Sequence, residues 1–155
     1  MIEKFKFLNH FFVLAQIFYS FSKKFDKISV NSKKRVNKMI YGIGLDAVEL
    51  VRIQTMINKK PKLINRILTK KEEEIFSQLS VKRQVEFLGG RYACKEAFSK
   101  AWGTGIGKVS FQEIEILPNS VGAPMVTASP FEKGKVFVSI THTDELALAQ
   151  IILER

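Results

Sequence analysis

The sequence predicts an α+β domain: one long helix against a largely antiparallel sheet. Three observations carry this. An apolar run, Ile40 to Leu45, is broken by two glycines. From Glu49 to Trp102 the apolar residues recur with helical spacing, and the stretch from about Val81 to Trp102 carries no proline. After Gly103 the period shortens, and Val, Ile and Phe alternate with polar residues between glycine and proline turns.

Ile40 to Leu45 reads as a strand ended by Asp46, with Gly42 and Gly44 where something approaches the backbone closely. Glu49 to Ile57 reads as a short helix, and Pro61 opens a second that runs to about Leu68. Thr69-Lys70-Lys71-Glu72 has the capping-box spacing, so a third helix starts there and runs to about Leu79. Ser80 is placed to cap the long helix, which ends at Gly103. Gly89 and Gly90 inside it cost about 1 kcal/mol each relative to alanine, which implies that another backbone or a ligand packs close there. Phe111 to Leu117, Met125 to Ala128, Lys135 to Thr141 and Leu146 to Leu153 read as strands.

Composition narrows the function classes. The chain has 155 residues, is 46% hydrophobic and carries a formal charge of +10. Residues 1 to 38 hold nine Lys/Arg against two acids, so +7 lies in that arm and only +3 in residues 39 to 155. A nucleic-acid-binding module would concentrate its basic residues on the folded domain, with exposed aromatics beside them. Here the charge sits in the arm, and Phe111, Phe131 and Phe137 read as strand core. One cysteine, Cys94, excludes an internal disulfide and fits a reducing cytoplasm. With only His10 and His142 beside it, a structural zinc site is not supported. The aromatic stretch Phe5 to Phe21 is interrupted by Lys6, Asn9, His10 and Gln16, too often for a spanning helix. Two readings of the arm remain: an amphipathic helix on an anionic membrane, or an upstream extension without a role. Met39-Ile40-Tyr41-Gly42 reads as a natural start and favours the second.

Asp46 and Glu96 are the candidate chemistry. Mg²⁺ takes oxygen ligands and is held by one or two carboxylates, with water and phosphate oxygens completing its shell. Spacing alone favours a plainer account, in which Asp46 caps the next helix and Glu96 pairs with Lys100 at i+4. Tyr92, Glu96 and Lys100 share one helical stripe, and Phe87, Arg91 and Lys95 another. Gly103-Thr104-Gly105-Ile106-Gly107-Lys108 lacks the ending of a P-loop and follows a helix, so it reads as a helix-ending loop that lets a ligand near backbone. Alternation puts His142 on the face of Val136, Val138 and Ile140, at the strand's mouth, where a histidine is often a polar cap on the core. Cys94 reads as a small buried residue.

The pieces resemble the holo-acyl-carrier-protein synthases, the small trimeric 4′-phosphopantetheinyl transferases. The resemblance rests on Gly42 to Asp46, Arg66 to Thr69, Glu86 to Ala101, Gly103 to Gly107 and Val138 to Thr143, in family order across residues 39 to 155. It implies transfer of 4′-phosphopantetheine from coenzyme A to a serine of apo-acyl carrier protein, with release of adenosine 3′,5′-bisphosphate, as a cytoplasmic step of fatty acid biosynthesis. Asp46 and Glu96 would hold Mg²⁺ and Lys100 would stabilise the departing phosphate. Lys95, Lys100, Gly103, Gly105, Gly107 and His142 would hold coenzyme A, and either His142 or a water would take the serine proton. Arg52, Met56, Lys62 and Arg66 would receive the acidic carrier protein. The family's homotrimers place active sites between subunits, and its pattern has no counterpart for residues 1 to 38. The competing accounts are a nucleic-acid-binding module and a partner that keeps the fold without turnover.

Overall fold

Two antiparallel sheets and one long helix organise the computed structural model, which describes residues 38–155 apart from residue 106. Expectations about the arm at residues 1 to 37 lie outside the described residues. The order is β1 (Ile40–Glu49), α1 (Leu50–Lys59), a 3₁₀ turn (Pro61–Leu63), α2 (Ile64–Ile67), α3 (Lys70–Ser77) and α4 (Val81–Trp102). A second 3₁₀ turn (Phe111–Glu113) follows, then β2 (Glu115–Pro118), β3 (Pro124–Ala128), β4 (Lys135–His142) and β5 (Leu146–Glu154). The three-stranded sheet has the order β1-β5-β4, and β2 pairs with β3.

The local signals account for most boundaries. Thr69 caps α3 through its side chain while the Glu72 carboxylate accepts from the Thr69 N–H at 2.8 Å, the reciprocal pair the spacing predicts. Helix α4 runs over Val81–Trp102 and ends at Gly103 with φ 70°. The Gly103 N–H donates to Lys100 O and the Thr104 N–H to Ser99 O, the paired bonds of a Schellman end. Ser80 stands at the N-cap position, but its side chain makes no capping bond, so the helix start is fixed by packing.

Three expectations are corrected. Asp46 does not end β1: the strand continues to Glu49, because Ala47, Val48 and Glu49 pair with Leu148, Ala147 and Leu146 of β5. The helix expected from Pro61 is a 3₁₀ turn and one α turn. Phe111 to Glu113 is a capped 3₁₀ turn, not strand, because Ser110 accepts from the Gln112 N–H and the Glu113 carboxylate accepts from the Ser110 N–H.

The core lies where α4 crosses the three-stranded sheet. Leu88, Phe98, Ala147, Ala149, Ile151 and Leu153 are fully buried there, and burying each of the larger ones stabilises by roughly 1.5–3 kcal/mol. Gly42 and Gly44 are where β1 meets α4 backbone to backbone. A Cβ on either would overlap the carbonyl oxygen of Ala101 or Ala97. Gly89 meets Leu50 and Ala147, and Gly90 meets Ile140, so their neighbours are side chains of α1 and the sheet. Phe131 is buried as expected, whereas Phe137 is 49% exposed because it points away from α4.

Candidate active site

The contact between β1 and α4 brings the two acidic residues together. Asp46 pairs with Ala149, which is fully buried under α4, so alternation along β1 turns Asp46 to the helix side of the sheet. Because Gly42 and Gly44 put no side chain between strand and helix, Glu96 and Lys100 come down beside it. Lys100 Nζ donates to Asp46 Oδ1 at 2.7 Å and to Leu45 O at 3.2 Å. The plainer account of these residues therefore does not hold: the next helix starts after Glu49, whose side chain makes no capping bond, so Asp46 is not its cap, and Lys100 pairs with Asp46.

Partial burial raises the Glu96 carboxyl above its usual range, and the Asp46 carboxylate acts in the same direction. The Tyr92 hydroxyl, Lys100 and Arg52 oppose that shift. Burial and the neighbouring Glu96 push the Tyr92 hydroxyl up in turn. Two neighbouring carboxylates, open to solvent on one side, suit a cation that needs few protein ligands. Among the described residues no group of three or more His, Cys, Asp and Glu is assembled. The donor set therefore suits a hard cation such as Mg²⁺ and not tetrahedral zinc.

Lys95 is the clearest departure from the sequence reading. It is fully buried, and its ammonium donates to Glu72 Oε2 at 2.6 Å, Ile67 O at 2.6 Å and Phe111 O at 3.0 Å. All three donors are spent inside the protein, so none remains for a nucleotide. Arg91, on the same stripe, is also buried; its Nε donates to Ile116 O at 2.8 Å and its guanidinium stacks 4.1 Å from the Phe87 ring.

The loop after α4 bears out the local geometry read for it. Gly103, Gly105 and Gly107 all have positive φ, and among the described residues, chain neighbours apart, nothing lies within 4 Å of where a Cβ would stand on any of them. His142 is at the end of β4, across β5 from Val48 through Ala147. That places it about 12 Å from Asp46 within one chain, from the strand spacing and rise. It lies instead in a groove of about 330 Å³ with Arg83, Glu86, Arg91, Gly122 and Pro124, 3.9 Å from Glu86 Oε2.

Arg52 and Met56 share a groove of about 280 Å³ on α1 with Thr55, Lys59, Lys60 and Leu63. Lys62 and Arg66 are exposed but are not among the residues lining it. Lys59 and Lys60 were not singled out in the sequence, and Tyr92 was placed on the stripe of Glu96 and Lys100 without a role. The basic run Lys59-Lys60 and the i, i+4 spacing of Tyr92 to Glu96 were the signals available. A larger groove, about 480 Å³ between β3 and β4, contains neither carboxylate. The side-chain chemistry, not cavity size, locates the site.

The sequence model of the 4′-phosphopantetheinyl transferase superfamily matches residues 42–151. A holo-[acyl-carrier-protein] synthase of Enterococcus faecalis is 62% identical over 116 residues, covering 75% of this chain and 98% of its own length. Its Bacillus subtilis counterpart is 52% identical over 118 residues, with 76% and 98% covered. Among solved structures, a holo-(acyl-carrier-protein) synthase from Bacillus anthracis in complex with CoA (3′,5′-ADP) superposes with a TM-score of 0.70 at 46% identity, covering 75% of this chain and 97% of that one. A Helicobacter pylori holo-[acyl-carrier-protein] synthase in complex with coenzyme A gives 0.63 at 30% identity, with 72% and 98% covered.

Proposed function

The chain belongs to the 4′-phosphopantetheinyl transferase superfamily, and we propose that it moves 4′-phosphopantetheine from coenzyme A to a serine hydroxyl of an apo-acyl carrier protein. The observation that carries this reading is Asp46 beside Lys100 and Glu96 at the contact of β1 with α4. The names of the relatives and the coenzyme A complexes of the solved structures support it.

In this account the serine oxygen bonds to the phosphorus that carries the pantetheine arm. The bond from that phosphorus to the bridging oxygen breaks, and adenosine 3′,5′-bisphosphate leaves. Asp46 and Glu96 are the residues that would hold Mg²⁺, which when bound supplies charge to the pyrophosphate oxygens. Lys100, 53% exposed at its side chain, is free to turn from Asp46 toward the oxygen on which charge builds. The backbone of Gly103, Gly105 and Gly107 is open to the nucleotide end. His142 and a water are the two candidates for the base that takes the serine proton.

Assembly of three copies explains how His142 would reach that site. The sheet carries α4 on one face only. Its other face presents a row of Ile43, Ile152 and Phe137 across three strands, with Ile43 57% and Phe137 49% exposed and Leu45 alongside. An apolar face of this kind calls for cover, and in this reading other copies supply it, bringing a neighbour's His142 to the carboxylates. The Arg52–Met56–Lys59 groove would seat an acidic carrier helix, with Met56 as the apolar contact and Lys62 and Arg66, exposed on the two turns that follow α1, adding positive charge. Residues 39 to 155 form the transferase domain in this reading, in fatty acid synthesis in the cytoplasm. No helix of the described residues is long and apolar enough to cross a membrane.

The test is the intact mass of apo-acyl carrier protein after incubation with the chain, coenzyme A and Mg²⁺. A gain of one phosphopantetheine, abolished by EDTA and by Glu96→Gln, is expected. No gain under the metal-replete condition overturns the activity.

A further inference from the structure

We propose that Lys95 is the positioning residue for Glu96: it locks α4 at the rotation that carries the Glu96 carboxylate to Asp46. This rests on the reading of Asp46 and Glu96 as the metal carboxylates. Nothing in that reaction requires a charged residue in the interior one position away. Yet Lys95 and Glu72 are both fully buried and bonded at 2.6 Å, with the ammonium's donors divided between that carboxylate and the carbonyls of Ile67 and Phe111.

The Glu72 carboxylate is itself a junction. Oε2 also accepts from the Thr69 N–H at 2.8 Å, and Oε1 accepts from the Ile116 N–H at 2.8 Å and lies 3.9 Å from Arg91 Nε. Through Lys95, α4 is thereby tied to the start of α3, the end of α2, the Phe111–Glu113 turn and β2. On another side, Ala97 and Ala101 hold α4 against the glycines of β1. Successive helix residues are about 100° apart, so Glu96 points between these two attachments. A glutamate carboxylate stands about 5–6 Å from the helix axis, so a rotation of about 10° shifts it by about 1 Å. A displacement of that size at a reacting centre can cost about 100-fold in rate. A buried ion pair is seldom better for stability than an apolar pair of similar volume. What this one contributes is directional: its five hydrogen bonds define a rotation that two apolar side chains would not.

Lys95→Met combined with Glu72→Gln removes the two charges of the pair together, and the buried Arg91 keeps its bond to Ile116 O and its stack on Phe87. For this double variant we expect a wild-type far-UV spectrum and cooperative melting. Mn²⁺ binding, followed by the loss of the free-ion electron paramagnetic resonance signal, should weaken about tenfold. In the transfer assay kcat should fall about 10- to 100-fold with KM for coenzyme A within about twofold. A folded double variant with wild-type Mn²⁺ affinity and kcat overturns the proposal. Should the pair fail to melt cooperatively, Lys95→Met alone, which leaves Glu72 its bonds from the Thr69 and Ile116 N–H groups and its ion pair with Arg91, is titrated in the same way, and unchanged affinity and kcat again overturn it. Glu96→Gln is the control: if it keeps full Mg²⁺-dependent transfer and Mn²⁺ affinity, the assignment of the carboxylates has failed and not the role of Lys95.

Discussion

Lys95 and Glu96 are neighbours on one helix, and one lies sealed in the interior while the other lines an open site. The acidic residue was singled out in the sequence through the family resemblance, since spacing alone favoured an ion pair with Lys100. The inward turn of the lysine was not legible, because an ammonium reads as solvent- or phosphate-facing until three buried acceptors are found around it. Burial lowers the affinity of Lys95 for its proton even against the pull of Glu72, and it drives the Cys94 thiol up to about 12, so that cysteine stays protonated and inert. Glu115 is the residue whose titration tests the structure directly. Burial acts to raise its pKa, but hydrogen bonds from Thr127, Lys71 and Thr69 outweigh that and leave it below the ordinary carboxyl value. A depressed carboxyl stabilises the fold above its unfolded pKa and loses that contribution as pH falls through the folded one. Melting temperatures of the wild type and Glu115→Gln should therefore differ at pH 7 and converge in strongly acidic solution. A gap that is the same at pH 7 and pH 3 contradicts the assignment.

The elements were legible where a local rule sets them. The capping box at Thr69 and the glycine stop at Gly103 give α3 and α4 their ends in sequence and structure alike. They were misread where pairing overrides local pattern. β1 runs past Asp46 only because β5 continues beside it, and the alternation through Phe111 to Glu113 is overruled by the Ser110–Glu113 cap. The two glycines of β1 were recognised as a close approach, and α4 proves to be the neighbour. Gly44→Ala forces a methyl group onto the Ala97 carbonyl. It should cost about 3 kcal/mol, at the upper end for overpacking, and reduce transfer activity by widening the gap between Asp46 and Glu96. Urea titration measures the first and the transfer assay the second. A variant as stable and active as wild type would show that strand and helix are not in backbone contact.

Over the whole molecule, a three-stranded sheet with a helix on one face leaves Ile43, Leu45, Phe137 and Ile152 on the other. Assembly through that face predicts that Phe137→Lys lowers the mass in sedimentation equilibrium from three copies to one and removes most transfer activity. A variant that keeps three copies places the interface elsewhere. The sequence by itself determined the class, the order and most ends of the elements, and, through the resemblance, the family and the candidates Asp46, Glu96 and Lys100. These depend on short-range rules or on residue types that carry their own chemistry. Only the tertiary structure decided that Asp46 lies within a strand, that Lys100 pairs with it, that Lys95 faces inward and that His142 lies apart from the carboxylates in a single chain. Each of these turns on which strand or helix lies beside a residue distant in sequence, and the local periodicity of a chain carries no information about that neighbour.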